Sequence, residues 1–499
     1  MPGIAGITGP KATQQHISKM LSKLRHRGPD DQWSQADDGL ALGACMSNLG
    51  KEKGLAYAES DGVTAVFDGE IYNERPEGAA DVEVALAMYK EHGRTFASRL
   101  HGVFACAIVD GDEVILARDA VGVRPLYWGT TDAGSITFAS ELKALVGLVS
   151  DVQDMLPATV LSSKAGLQPY LPVYPEVTMP DSADEARDTL RTLLVRATER
   201  RLADGRVGGL LLSGGLDSSI IAAIAHEIDP RLPAFTVAMS DAPDLQNAIR
   251  MAEHLGVEHV VRLFEPEDIT KLVPKAIYAL ESFDEDCVSG TIANLIASRL
   301  AFERTNCILS GEGGDELNGG YLMLKNLKTE HERKQCMENL IAVAYNTALQ
   351  RLDRAMMHNY INYRTPFLDS EVIAFCLQLP VGWKVHDTGD GHLVEKWLLR
   401  EAFKDMLPDE IYRREKSRFS AGTGTDVAIE ALAQDAVPED EPEGETPMIT
   451  EGGYQLNSAK ERHYYRLFKS YFPEPMYESL VGRWDPAKGA AGVPSAACT

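Results

Sequence analysis

A chain of 499 residues, 44% hydrophobic and 25% charged, has the make-up of a soluble globular protein and the length for two or three separate cores. Its formal net charge of −25 excludes nonspecific binding to nucleic acid or to an anionic membrane, since such a surface repels both, although a local basic pocket for phosphates stays compatible with it. Neither an apolar stretch of membrane-spanning length nor a basic-then-apolar leader opens the chain, which predicts a cytoplasmic protein with no membrane partner.

The N-terminal stretch Met1–Ile7 reads as a first strand. Short apolar runs then alternate with turn signals, as in Val63–Phe67 before Asp68-Gly69 and Glu113–Ala117 before Arg118-Asp119. This predicts a strand-rich α+β domain of packed sheets over residues 1–165, with helical periodicity once, over Asp81–Tyr89. Pro169, Pro172, Pro175 and Pro180, without a sustained period, mark 166–183 as a connection. A second domain, 184–499, opens with the capping signal Ser182-x-x-Glu185 ahead of Ala186, Leu190, Leu193, Leu194 and Ala197 at helical spacing. Strand, loop and helix follow over Gly208–Leu212, Ser213–Ser219 and Ile220–Ile228. Next come a strand at Ala234–Met239, a helix at Leu245–Leu255 closed by Gly256, and a strand at Val257–Phe264.

Such alternation predicts a parallel, doubly wound α/β sheet with its ligand at the carboxyl ends of the strands. From Pro266 to about Arg418 the pattern is predominantly helical, and the charged, proline-bearing run Pro438–Glu445 reads as a solvated linker or an active-site lid. Seven scattered cysteines without a Cys-x-x-Cys pair, and twelve histidines without ligand spacing, predict reduced, mostly buried thiols and no structural metal.

The chemistry is written at Ser213-Gly214-Gly215-Leu216-Asp217-Ser218-Ser219. Small residues stand where a strand turns into a helix, so backbone amides and hydroxyls can approach phosphate oxygens at a helix N-terminus. Two glycines allow close approach, and Asp217 can hold a magnesium ion that screens the leaving group. No Gly-Lys-Ser/Thr ending is present, so this is not a loop for the terminal phosphate; it points instead to release of pyrophosphate from ATP.

With this loop stand Ser310-Gly311-Glu312-Gly313-Gly314-Asp315-Glu316, Gly319-Gly320-Tyr321, Arg364-Thr-Pro-Phe-Leu-Asp369 and Arg414-x-Lys416-x-x-Phe419-x-x-Gly422-x-Gly424. Through these motifs nearly the whole chain resembles the asparagine synthetase family. The resemblance implies an N-terminal nucleophile (Ntn)-like sandwich followed by an α/β ATP-pyrophosphatase domain of the adenine nucleotide α-hydrolase kind, with a helical C-terminal part. ATP and Mg2+ are the cofactors it implies, the substrate is amino-acid-like, and a homodimer is compatible with it. Asp217 and Asp315 would supply carboxylates to magnesium. Lys416 would stabilise charge on pyrophosphate and on the tetrahedral intermediate, and Glu312 would take a proton from the attacking amine if burial tunes it toward neutral pH. Gly311 would adjoin the nucleotide with Ser213, Gly214, Gly215, Ser218 and Ser219, while Leu212 and Val237–Met239 would cradle adenine. Asp286, Ser289, Asp315 and Tyr321 would face the substrate.

The departures are as informative. Glutamine-using members begin, after Met removal, with a cysteine nucleophile; here Pro2 stands there and has no thiol. The Asn-Gly-Glu-Ile-Tyr-Asn segment reads Asp68-Gly69-Glu70-Ile71-Tyr72-Asn73, putting a carboxylate where an amide would support an oxyanion, and the arginine for the substrate carboxylate is replaced near Met46. The glutaminase half is therefore read as structural, its scaffold surviving in Arg25–Asp30, Asp81–Glu83, Arg118–Tyr127 and Ser140–Lys143.

In Glu281–Ser289, Ser289 falls where asparagine synthetases carry an arginine, and the extra acids Glu285 and Asp286 would suit an amine-bearing substrate. The β-lactam synthetases of the family share such a run and the lost cysteine. The leading expectation is thus an adenylating amide synthetase whose substrate's own amine closes a β-lactam in specialised metabolism, such as a monocyclic lactam of an antibiotic or toxin. Glu312 departs from the tyrosine of the clavam and carbapenam branches, which fits an ammonia-dependent asparagine synthetase as the rival. A nucleotide-binding regulatory pseudoenzyme is the alternative from another class.

Overall fold

A computed structural model describes residues 2–37, 39–47, 55–425 and 448–483. The alternating apolar runs of the N-terminal part fold into two stacked six-stranded sheets, antiparallel throughout. In spatial order the first holds Asp151–Asp154, Tyr127–Thr130, Ile136–Ala139, Gly3–Thr8, Leu40–Met46 and Asp31–Asp37. The second holds Gly166–Pro169, Thr159–Ser162, Glu113–Arg118, Gly102–Asp110, Val63–Ile71 and Tyr57–Ser60. Because strand side chains alternate, Ile4, Leu42 and Phe138 from one sheet meet Val66, Ala107 and Leu116 from the other in a dry interlayer.

A helix covers each outer face. Asp81–His92 lays Val82 and Leu86 on Phe67, Phe104 and Ile108, and Gln14–Leu24 lays Ile17, Met20, Leu21 and Leu24 beside Ala5, Ile7 and Cys45. The second of these helices corrects the sequence reading, which found one helical period here. Its apolar residues do recur at helical spacing, but the polar start Gln14-Gln-His16 dilutes the pattern, and Thr13 supplies the N-cap by accepting from the His16 amide. Residues Gly166–Pro169, read as part of a connection, form the edge strand against Thr159–Ser162.

Ser182 caps the helix Ala183–Leu202 by accepting from the Glu185 amide, while the Glu185 carboxylate turns to the Asp181 amide rather than closing a reciprocal box. The second domain is built on five parallel strands in the order His259–Leu263, Ala234–Ala238, Leu210–Leu211, Cys307–Leu309, Asn362–Arg364. Chain order reverses between Leu210–Leu211 and Cys307–Leu309, and the crevice beyond their carboxyl ends is where such a sheet binds ligands. The stretch from Pro266 is largely helical, interrupted by the strands Cys307–Leu309 and Asn362–Arg364 and by a hairpin of Val385–Asp387 with Leu393–Glu395. Near the C-terminus the helix Ala459–Tyr471 packs Tyr465 and Phe468 edge-on against Phe283. Pro438–Glu445 lies outside the described residues, as does Cys498. Of the six described cysteines all are free, and five are buried. No helix among the described residues is long and apolar enough to cross a membrane.

The two domains are joined by buried charge. Arg364 forks onto Glu70, with Nε 3.0 Å from both carboxylate oxygens, and also holds Asp204. Asp369 holds Arg201 at 2.8 Å, whose guanidinium lies over the Tyr72 ring. Asp353 receives Arg27 at 2.7 Å and Arg124 at 3.0 Å, and Glu281 accepts from the amides of Leu142 and Lys143. Thus the motifs Asp68–Asn73, Ser140–Lys143, Glu281–Ser289 and Arg364–Asp369 share a task that spacing alone does not reveal: each docks one domain on the other.

Candidate active site

Two loops leave the sheet at the switch point, and glycine lets them touch. After Leu211 the chain turns through Gly214, whose φ of +77° and 2.4 Å approach of a would-be Cβ to the Asp244 carbonyl admit only glycine. The helix Leu216–Ile228 then starts from Gly215. Ser218 Oγ accepts from the Ser213 amide and donates to the Gly215 carbonyl, so the loop closes on itself while the first amides of the helix face the crevice. The second loop follows Cys307–Leu309. A Cβ on Gly311 would meet the Ser218 amide at 2.8 Å, and one on Gly314 would meet Asp217 Oδ1 at 2.5 Å, so these two glycines bring Asp217 beside Asp315.

Around that carboxylate pair gather cations from distant parts of the chain. Lys416 pairs with Asp315, while the Lys396 ammonium stands between the two acids, 2.5 Å from Asp217 Oδ2 and 2.6 Å from Asp315 Oδ1. Lys396 sits in the left-handed region at φ +54°, at the start of the helix Trp397–Phe403. Arg414 binds Asp244 at 2.5 Å and the Gly214 carbonyl, pinning the loop from outside. Burial acts to raise the Asp315 pKa, but Lys396 and then Lys416 override it and hold the carboxyl well below its usual range. Burial likewise opposes the charge of Lys416, and Asp315 with Asp217 more than restores it, raising that ammonium.

These loops wall a cavity of about 390 Å³. Its lining includes Leu212, Ser213, Gly215, Asp217, Ser218, Val237, Asp286, Gly311, Glu312, Asp315, Tyr321 and Lys416. Five residues expected at the site do not line it, Ala238 among them. Gly214 shapes the turn from behind. Ser219 is fully buried in the first turn of its helix, and Met239 donates its amide to the Thr423 carbonyl beyond the strand end. Ser289 is buried in the helix Glu285–Phe302, whose cavity side is carried by Asp286, Cys287, Asn294 and Ala297. Two residues separate Ser289 from Cys287, or about 200° round a helix, which turns it away. Glu285 is held by Ser458 and by Lys460, and Asp286 by Arg418 at 3.2 Å, so both acids already have partners.

At the far end of the cavity, Glu312 faces Arg351 from the helix Ala348–His358, with Oε1 3.3 Å from Nη2. Burial pushes the Glu312 carboxyl up, against the pull of Arg351. Glu316, which accepts from the Tyr321 hydroxyl at 2.5 Å, is raised to about 7, first by burial and then by Asp315 and Glu312. Sequence alone assigns no role to Lys396, Arg351 or Glu316. Glu316 was visible within its motif, but nothing in the local pattern around the other two marks them.

The acids suit a magnesium ion bound together with phosphates. Asp217 Oδ1 is buried without a hydrogen-bond partner beside Asp315, and two carboxylates completed by phosphate oxygens are how Mg2+ is commonly held. Among the described residues no cluster of three or more His, Cys, Asp or Glu could hold a metal unaided.

Comparison with known proteins matches the asparagine synthase model over residues 189–344 and 325–445, and the glutamine amidotransferase domain model over 1–169. Asparagine synthetase [glutamine-hydrolyzing] 2 of Arabidopsis thaliana is 30% identical, with 100% of this chain and 91% of the relative covered. The chain belongs to the asparagine synthase family. Asparagine synthetase B [glutamine-hydrolyzing] of Escherichia coli is likewise 30% identical, over 96% of this chain and 90% of its own. This member is an ATP-dependent amide synthetase, with an amidotransferase-type N-terminal domain ahead of its ATP-pyrophosphatase domain.

Proposed function

We propose that this member adenylates a carboxylate of an amino-acid substrate and joins it to an amine that is not released from glutamine in its own N-terminal domain. One observation carries the reading. Asp68, standing where the family resemblance expects an amide, is fully buried, and its carboxylate is bound by Arg27 at 2.9 Å, which also binds Asp353 of the second domain. A buried carboxylate cannot donate to an oxyanion, and Pro2 offers no thiol to make one.

In the working site, Asp217 and Asp315 would hold Mg2+. The ion supplies charge screening across the phosphates. Lys416 and Lys396 face the leaving pyrophosphate, and the loop amides from Leu216 onward orient it. Glu312, raised by burial, accepts the proton of the attacking amine.

The names of the relatives favour asparagine as the product and give glutamine as their nitrogen source; with Pro2 and Asp68 in the N-terminal domain, free ammonia acting on aspartate is the first reading. The substrate's own amine, closing a β-lactam, is the second reading, favoured by Asp286 in the cavity wall. Purified protein given MgATP, aspartate and ammonium should form AMP, pyrophosphate and asparagine; robust asparagine formation sinks the lactam reading. Glutamine in place of ammonium should give nothing, and product formed from it would overturn the proposal.

A further inference from the structure

We infer that Asp244 is a positioning residue for Lys416: through Arg414 it ties the segment that carries the lysine to the turn of the phosphate loop. The inference deepens the proposed function and rests on Lys416 meeting pyrophosphate there. Asp244 stands buried in the first turn of the helix Pro243–Leu255 and lies in the cavity wall. An unpaired carboxylate in that wall would repel a triphosphate, and burying one is unfavourable unless a cation accompanies it. Its place in the site therefore calls for a partner and a task.

Arg414 is the partner, and each of its three nitrogens is engaged inside the protein. Nη2 donates to Asp244 Oδ1 at 2.5 Å, Nη1 to the Gly214 carbonyl and Nε to the Glu415 carbonyl at 3.5 Å. Although it stands beside Lys416 in one Arg-x-Lys motif, Arg414 thus works as a strut, and Lys416 and Lys396 are left to face the phosphates. Burial pushes the Asp244 carboxyl up, and Arg414 and then Lys416 pull against it.

Three segments converge on this carboxylate. The phosphate loop lies on the helix that bears it, since a Cβ on Gly214 would meet the Ala248 amide nitrogen at 2.6 Å and Asn247 Cβ at 3.0 Å. The chain beyond Lys416 returns to the same side chain, because a Cβ on Gly422 would run into Asp244 Oδ2 and meet its Cγ at 2.7 Å. Just past that point the Thr423 carbonyl accepts from the Met239 amide at 2.9 Å. Lys416 is therefore bracketed by Arg414 and Gly422, both against Asp244, while its own amide donates to Glu395 at 3.2 Å from another direction. Without the Asp244 carboxylate, Lys416 keeps Glu395 and Asp315 but loses its registration with the loop whose amides orient the same pyrophosphate.

Titration calorimetry with magnesium pyrophosphate tests this on wild type, Asp244→Asn, Lys416→Ala and the double variant. Lys416→Ala should weaken binding about 10- to 100-fold, as loss of one charged hydrogen bond does. Asp244→Asn should weaken it about 3- to 30-fold by itself, and should add less than about twofold to Lys416→Ala, because it acts through the lysine. Effects that multiply in the double variant overturn the inference, since Asp244 would then serve the loop without Lys416. Binding by Asp244→Asn as tight as wild type, or tighter, also overturns it, and is the result expected if Arg414 were a phosphate ligand set free by the change. A cooperative thermal transition shows that Asp244→Asn is folded; should it not fold, Arg414→Lys, which keeps the charge but cannot span Asp244 and the Gly214 carbonyl, takes its place in the same cycle. Failure of the underlying reading shows separately, as unchanged binding in Lys416→Ala or no binding to wild type.

Discussion

Lys416 and Lys396 stand on the same pair of carboxylates, yet the geometry assigns them different work. Lys416 touches Asp315, and in the proposed function it meets the charge that develops on pyrophosphate. Lys416→Ala should lower the rate of pyrophosphate release by about 10²- to 10³-fold, the usual consequence of removing one preorganised donor to a developing anion, with the melting temperature little changed. Lys396 bridges both acids and so offsets their mutual repulsion when no metal does. Lys396→Met should lower the melting temperature in EDTA, and added Mg2+ should raise it by more than in wild type; an equal magnesium response in the two proteins would assign Lys396 another task.

At the scale of elements, the helix Ala348–His358 links the two halves of the molecule. One face carries Arg351 into the synthetase cavity, and two residues on, about 200° round, the opposite face places Asp353 among Arg27, Arg124 and Arg354 at the boundary with the N-terminal domain. Asp353→Ala takes the ion-pair partner from the buried Arg124, while Arg27 keeps Asp68 and Glu141, and should destabilise by about 3–5 kcal/mol, read from denaturant midpoints. The helix ends in His358, a position where a helix dipole favours positive charge. Burial, then His26, nevertheless depress this imidazole from 6.5 to about 3. A depressed folded pKa means that His358 contributes stability above the unfolded value of 6.5, which is lost as pH falls from there toward 3. His358→Gln should accordingly narrow the difference in melting temperature between pH 7 and pH 5.

For the whole molecule, the N-terminal domain has a mechanical part whatever its chemistry. Glu70 and Arg364, with Asp204, form a buried contact across the domain boundary. Arg364→Leu should cost about 3–5 kcal/mol by stranding the buried Glu70, and should increase proteolysis in the connection at 170–182, where the chain has no regular secondary structure. Cleavage at wild-type rates there would mean that the domains hold together by other contacts.

The sequence by itself determined the ATP chemistry and the order of the two domains, because each is carried by residues next to one another in the chain. Ser213–Ser219 and Ser310–Asp315 are strand-to-helix turns whose small residues signal close backbone approach, and Pro2 and Asp68 exclude chemistry through their own functional groups. The helix Gln14–Leu24 escaped because a polar first turn thins its periodicity, and Asn362–Arg364 because a strand of three residues has too short a pattern to read. Only the tertiary structure decided which cations serve the site and what the interdomain motifs bind. Lys396, Arg351 and Asp353 stand in unremarkable local sequence, and their roles arise when the parallel sheet brings two loops nearly a hundred residues apart to one switch point and lays a later helix across both domains. Turning Ser289 away from the cavity was likewise a matter of helix phase, fixed by packing rather than by the residue itself.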